Sequence, residues 1–439
     1  MGLIGIVGAR NRLKSNLVLK ISGGTSQGKR FGIVYVMTQT HLSAAPMSPS
    51  VRSDPRTFRF NAPTQLVVGP GRLSELGGLA TTPAIVGQRR PRRVLMVVDR
   101  GVRRAGHAEP ATRSLTDAGL EVALFDDFSE NPTASMVDAG VAAAVQCQPD
   151  LLVGLGGGSA MDACKAINLV FCCGGQIADY RGAGKATTDL LPMIAIPTTA
   201  GTGSEVQSYA IISDDETHIK MPCGDVRAQP AAAILDPHLV MTQPPAVAAL
   251  TGIDAISHAV ETSVTRRRSV VSSLWSREAF RFLASSFETF LRDPSDLRSA
   301  ASMQWGAACA GMAIEASMLG AAHATANPLT ARYGIPHGQA VGLMLPAVVE
   351  LNAATEGSQY GELVRSIDPT IADPQAAPWL VERIQRWTRQ CHLATRLRDL
   401  DADVDIPACA VDAMSQWTGT FNPVALTPAI VESLYRRVE

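Results

Sequence analysis

Aromatic side chains are scarce in this 439-residue chain, making up 5% of it, and its formal net charge is only −1. With basic residues dispersed beyond the N-terminus, there is no electrostatic stripe to follow a phosphate backbone, so nucleic acid is not expected as a partner. The eight cysteines include no CxxC pair and form no framework. They read as small buried hydrophobes, reduced in a cytoplasmic compartment. No run of about 20 apolar residues is free of charge, since the alanine-rich stretch from Ala307 to Ala326 carries Glu315 and His323. A membrane span is therefore not expected. Asp and Glu are missing altogether up to Ser53, where Arg10, Arg12, Lys14, Lys20, Lys29, Arg30 and Arg52 stand among Ser, Thr and Gly. That composition resembles an organellar transit peptide, and it equally fits a disordered tail or an over-long start with Met37 or Met47 as initiator. Residues 1–56 are accordingly set apart as an extension.

What is present points to a soluble α/β protein, with 46% hydrophobic residues and a length that suits two domains. Gln65 to Val68 reads as a strand, Gly69-Pro70-Gly71 as a turn, and Arg72 to Leu79 as a helix. The run Val94-Leu95-Met96-Val97-Val98 has the pattern of a strand buried on both faces of a parallel sheet, and it ends in Asp99. An acid at a strand's carboxyl end can accept hydrogen bonds from both ribose hydroxyls of an adenosine. It can also simply cap a helix.

Leu151-Leu152-Val153 leads through Gly154 into Gly156-Gly157-Gly158-Ser159, and Ala160 to Val170 has helical spacing. Strand, glycine turn and helix together can aim free N–H groups at a phosphate, although a glycine turn by itself is often only a tight turn. A further strand from Met193 to Ile196 opens into Pro197-Thr198-Thr199-Ala200-Gly201-Thr202-Gly203-Ser204-Glu205. Four hydroxyls and two glycines in that loop suit a cofactor groove better than an ordinary polar loop, because two such loops follow successive strands.

After Asp236-Pro237 the strand signals fade and alanine-rich helices take over, which places a boundary between an α/β domain over 57–237 and an all-α domain over 238–439. Asp254 and His258 stand four apart, on one face of a helix. His323 and His337 lie in apolar or glycine-flanked settings further on. A lone histidine of this kind is usually a core residue, but one Asp and three His together suit a divalent first-row ion, Fe(II) or Zn(II). An open coordination position on such an ion polarises a carbonyl and stabilises an alkoxide.

These segments resemble the iron-containing, or group III, alcohol dehydrogenase family from about Phe58 almost to the C-terminus. The resemblance is carried by Gly156 to Asp162 with Lys165, by the Pro197 to Glu205 loop, by Gly252 to Glu261, and by His323 to Gly338. It implies a Rossmann-like dinucleotide-binding domain followed by a helical metal-binding domain, with the site in the cleft between them. Metal ligation falls to Asp254, His258, His323 and His337. Cofactor contacts fall to Asp99, Asn131, Gly157, Gly158, Ser159, Asp162, Thr198, Thr199, Thr202 and Lys220, and the acid at Asp99 favours NAD over NADP. The implied activity is hydride transfer between NAD and a small alcohol, aldehyde or ketone, in a protein that is a homo-oligomer like its relatives. Asn327 departs from the pattern, since many members carry a histidine there that is thought to help proton transfer. Related alternatives are a maleylacetate reductase, a hydroxyacid-oxoacid transhydrogenase, or a lyase similar to dehydroquinate synthase.

Overall fold

The computed structural model describes residue 58 and residues 62–439, so the extension expected over residues 1–56 lies outside the described residues. The strands are β1 (Gln65–Val68), β2 (Arg93–Val98), β3 (Glu121–Phe125), β4 (Leu151–Gly156), β5 (Gly182–Ala183), β6 (Met193–Pro197), β7 (Tyr209–Ser213), β8 (Lys220–Gly224) and β9 (Ala232–Leu235). Six of them form a parallel sheet in the order β1-β9-β6-β4-β2-β3. Alternate residues of β2 enter different cores: Val94, Met96 and Val98 pack on one face, Leu95 and Val97 on the other. This is why its sequence is continuously apolar rather than alternating.

From β2 the chain moves outward to β3 and then returns to the other side of β2 as β4. The strand order therefore reverses between β2 and β4, and ligands of open α/β sheets sit in the crevice outside the carboxyl ends at such a switch point. Asp99 follows β2 and Gly157 follows β4, in neighbouring registers where Val98 faces Leu155.

Two local expectations are corrected. Arg72 to Leu79 is not one helix: a 3-10 turn, Arg72–Glu75, precedes an α-helix, Leu76–Thr81. A second sheet, in the order β5-β8-β7, has no counterpart in the sequence-based expectation. Pro222 argues against a central strand, yet β8 lies in the middle because β5 is only two residues long and pairs at Cys223 and Gly224, leaving Pro222 without a partner on that side.

Beyond β9 every regular element among the described residues is helical. The long helices are Pro245–Thr262, Val270–Arg292, Leu297–Ser317, Ala321–Tyr333, His337–Val364 and Asp373–Gln390. They share one core built on Phe280, Phe287, Met344, Tyr360, Trp387 and Tyr435. Among the described residues no helix is long and apolar enough to cross a membrane, and all eight cysteines are free thiols.

Candidate active site

All fifteen residues singled out from the sequence line one cleft of about 700 Å³. Its sheet end is assembled at the switch point. Helix Gly158–Cys173 starts directly from β4 with no side chain capping it and no acid in its first turn. Its first N–H groups thus face the cleft, a ready site for an anion. The hydroxyl loop after β6 lies against this turn, with Thr198 N–H donating to Gly156 C=O at 2.9 Å. A Cβ on Gly158 would stand 2.6 Å from Thr202 Cγ2, so only glycine lets the two loops meet.

Asp99 caps a helix at the rim of the cleft. Its Oδ1 accepts from Gly101 N–H at 2.6 Å and Val102 N–H at 3.2 Å, capping the short Arg100–Arg104 helix, while the side chain also borders the cleft. Asn131 adopts a left-handed backbone with φ 55°, and its N–H donates to Ser159 Oγ at 3.3 Å. Asp162 is committed to the protein as well as to the cleft: Oδ1 accepts from Ser204 Oγ at 2.6 Å and Oδ2 from Ile211 N–H at 3.2 Å. Lys165, fully buried, donates to Ser204 Oγ, Ser204 C=O and Tyr209 C=O. The pair thereby ties the 158–173 helix to the hydroxyl loop and to β7.

At the helical end, Asp254 Oδ1 is approached by His258 Nε2 at 3.4 Å, His323 Nε2 at 3.5 Å and His337 Nε2 at 3.9 Å. Asp254, His258 and His323 bring ligand atoms within 4.8 Å of one another. His337 closes in from the cleft side; its side chain is 22% exposed, against 5% for the other two imidazoles. Asp254 Oδ1 and His323 Nε2 are buried with no hydrogen-bond partner. Burying such groups without compensation is costly, and convergence on a shared cation relieves it. The arrangement fits a divalent metal.

Local sequence explains the convergence. Asp254, His258 and Glu261 occupy positions i, i+4 and i+7 of helix Pro245–Thr262 and so share a face. Gly338 permits His337 to approach, because a Cβ there would fall 2.2 Å from Leu250 C=O on that same helix. His323 lies in the first turn of helix Ala321–Tyr333, whose leading N–H groups are taken by side chains from afar: Ala321 donates to Asn422 Oδ1 at 3.2 Å and Ala322 to Glu261 Oε1 at 2.7 Å. Glu261 Oε2 meets His323 Nδ1. Glu261 was not singled out from the sequence as a site residue, although its i+7 spacing from Asp254 marks it.

Electrostatics follow from burial and from neighbours. Burial alone would raise the Asp254 carboxyl, but the three imidazoles hold it well below the usual carboxylate range. Burial lowers His258 and, together with Lys220, lowers His337 strongly. His323 resists burial because Glu261 and Asp254 push it up to about 9. Lys220 is itself lowered by burial against the pull of Asp254.

Between the two ends, Asn327 Nδ2 donates to Gln416 Oε1 at 3.0 Å. Gln416, Trp417 and Thr418 complete this wall with Tyr209, whose ring centroid lies 5.3 Å from that of Trp417. They come from a 3-10 turn far along the chain, and no sequence signal announces them.

Comparison with known proteins agrees with the geometry. The family profile described as "Iron-containing alcohol dehydrogenase" matches residues 63–237, and "Fe-containing alcohol dehydrogenase family, C-terminal" matches residues 248–438. Alcohol dehydrogenase 4 of Saccharomyces cerevisiae (strain YJM789) is 30% identical over 364 residues, spanning 82% of this chain and 94% of that protein. An NAD-dependent methanol dehydrogenase of Bacillus methanolicus is 28% identical over 372 residues, 84% of this chain and 96% of its own. The crystal structure of a 1,3-propanediol oxidoreductase superposes with a TM-score of 0.82 at 29% identity, covering 88% of this chain and all of the other. The chain belongs to the iron-containing alcohol dehydrogenase family and is an oxidoreductase of the alcohol dehydrogenase type.

Proposed function

We propose that the protein is a metal-dependent, NAD(H)-linked dehydrogenase that interconverts a small alcohol with its aldehyde or ketone. The observation that carries this reading is the convergence of three imidazole Nε2 atoms on Asp254 Oδ1 in a cleft whose other end is the β2/β4 switch point. Asp254, His258, His323 and His337 would hold the ion, Fe(II) or alternatively Zn(II), which when bound supplies Lewis-acid polarisation of a substrate oxygen. The NAD dependence of the Bacillus methanolicus relative supports the cofactor.

The chain's own residues bind and orient. The N–H groups of Gly158 and Ser159 face the pyrophosphate position. Thr198, Thr199 and Thr202 offer hydroxyls beside it, Asp99 offers its carboxylate to a ribose, and Lys220 sets a cation near Asp254. Asn327 can orient a hydroxyl through its amide but cannot take up a proton near neutral pH, so a water or a ribose hydroxyl would relay it.

Among the described residues no arginine lines the cleft, and Ile314, Met318, Leu319 and Trp417 wall much of its helical end. Among the described residues Lys220 is the one lysine or arginine that a substrate carboxylate would meet in the cleft, which favours neutral substrates over those of a maleylacetate reductase or hydroxyacid-oxoacid transhydrogenase. We retain the division of the chain at 237/238, a homo-oligomeric state and a cytoplasmic location, organellar if the basic extension is a transit peptide, as parts of the same proposal.

The deciding experiment is anaerobic NADH oxidation over small aldehydes, ketones and oxoacids, comparing chelator-stripped protein with Fe(II)- and Zn(II)-reconstituted samples. Metal-restored, stoichiometric NADH consumption is expected. NADH that stays intact with every metal and substrate would overturn the reading and favour a lyase that uses NAD only transiently.

A further inference from the structure

We infer that a second cavity, separate from the cleft, binds a phosphate-class oxyanion. It has a volume of about 170 Å³ and is lined by Arg389, Arg396 and Arg437 together with Thr388 and Thr395. None of its lining residues borders the cleft. The three arginines come from different segments: the end of helix Asp373–Gln390, the connection that follows it, and the last turn of the C-terminal helix Pro428–Arg437. Their meeting is a product of the fold rather than of helical spacing.

Two of the three arginines lack a counter-charge in the cavity. Several arginines elsewhere face carboxylates: Arg103 pairs with Asp126, Arg281 with Glu278, Arg332 with Asp412 and Arg436 with Glu432. In the cavity only Arg437 has one, Glu350 at 3.1 Å. Among the described residues, neither Arg389 nor Arg396 has an ion pair or a side-chain hydrogen bond. Positive charges gathered around a concavity repel one another and focus their field into it. Guanidinium forks match the oxygens of a phosphate two at a time. A space of about 170 Å³ is large enough to admit a phosphate group.

The cavity lies behind the helix that carries His337. Its wall includes Gly342 of helix His337–Val364, where a Cβ would lie 2.6 Å from Cγ2 of Ile253, the neighbour of Asp254. The helix that begins at His337 therefore separates the anion cavity from the ligands.

The test is calorimetric titration of the full chain with sodium phosphate, with sodium chloride at matched ionic strength as control, in wild type and in Arg389→Ala/Arg396→Ala. Saturable phosphate binding in wild type, weakened tenfold or more in the double variant, is the expected result. Equal phosphate binding in both proteins, which is what binding at the glycine turn of the cleft would give, overturns the proposal, as does chloride acting like phosphate. Glycerol phosphate distinguishes the source: tighter binding than inorganic phosphate assigns a phosphomonoester, weaker binding the free ion. Both side chains are exposed, and unfolding in chloride checks that the variant folds. Arg389→Lys/Arg396→Lys, which keeps charge but loses the forks, is expected to bind with intermediate affinity.

Discussion

Glu261 divides its carboxylate between the Nδ1 edge of His323 and the N–H of Ala322, so one side chain both orients an imidazole and caps the helix that carries it. An acceptor at Nδ1 holds a proton on that nitrogen and leaves Nε2 as the one that a metal would take. Glu261→Gln should weaken metal retention by about 10- to 100-fold and leave NAD affinity nearly unchanged. Metal content after dialysis against a graded chelator measures this, and undiminished retention would mean that His323 is oriented by packing alone.

Gly158→Ala probes the contact between the two loops. The added methyl would press on the Thr202 side chain, and overpacking of this sort costs about 1–3 kcal/mol. A raised KM for NADH, with metal content unaltered, is the expected outcome in steady-state kinetics. Equal rises in KM for NADH and for the carbonyl substrate would contradict the assignment of this turn to the cofactor.

Asn327→His places a titratable ring where the amide now bonds Gln416. If a proton passes here, kcat/KM of the variant should acquire a limb with an apparent pKa of about 6.5 that wild type lacks. A pH–rate profile from 5 to 9 is the measurement. Parallel profiles would place the proton route elsewhere.

Burial pushes the Glu205 carboxyl from its ordinary 4.5 up to about 7, the nearby Lys165 ammonium opposing this only in part. Because the folded value exceeds the unfolded one, the neutral acid is favoured in the fold. Its contribution is complete below about pH 4.5 and is lost as pH rises through 7. Glu205→Gln, neutral throughout, should therefore match wild type near pH 4.5 and exceed it at pH 8 by on the order of 3 kcal/mol. Urea midpoints at pH 5 and pH 8 test it; a difference independent of pH would show that Lys165 fully compensates the charge.

The parts of this architecture that sequence makes visible are those encoded within a few residues. Val94 to Val98 and Met193 to Ile196 declare buried strands through unbroken apolar runs, and Gly156 to Ser159 declares the turn between strand and helix. The pair Asp254 and His258 is legible because helical spacing alone brings it together. Less legible are contacts set by chain segments that meet only in the fold. Gln416 reaches Asn327 across 89 residues, and Asn422 reaches Ala321 across 101. The small β5-β8-β7 sheet was hidden for a different reason, since a two-residue strand and a proline give almost no periodicity.

Asp99 spends one oxygen on the start of the Arg100–Arg104 helix while bordering the cleft, and under the proposed ribose contact this would join cofactor preference to folding. A lineage drifting toward a 2′-phosphorylated nucleotide would have to discard the carboxylate's charge without stripping the helix of its cap. Serine and asparagine satisfy both demands, since each still accepts from the first turn. Alanine or a large apolar residue relieves the repulsion but leaves two N–H groups unmet. The paths open to a change of coenzyme are therefore narrowed by a helix five residues long.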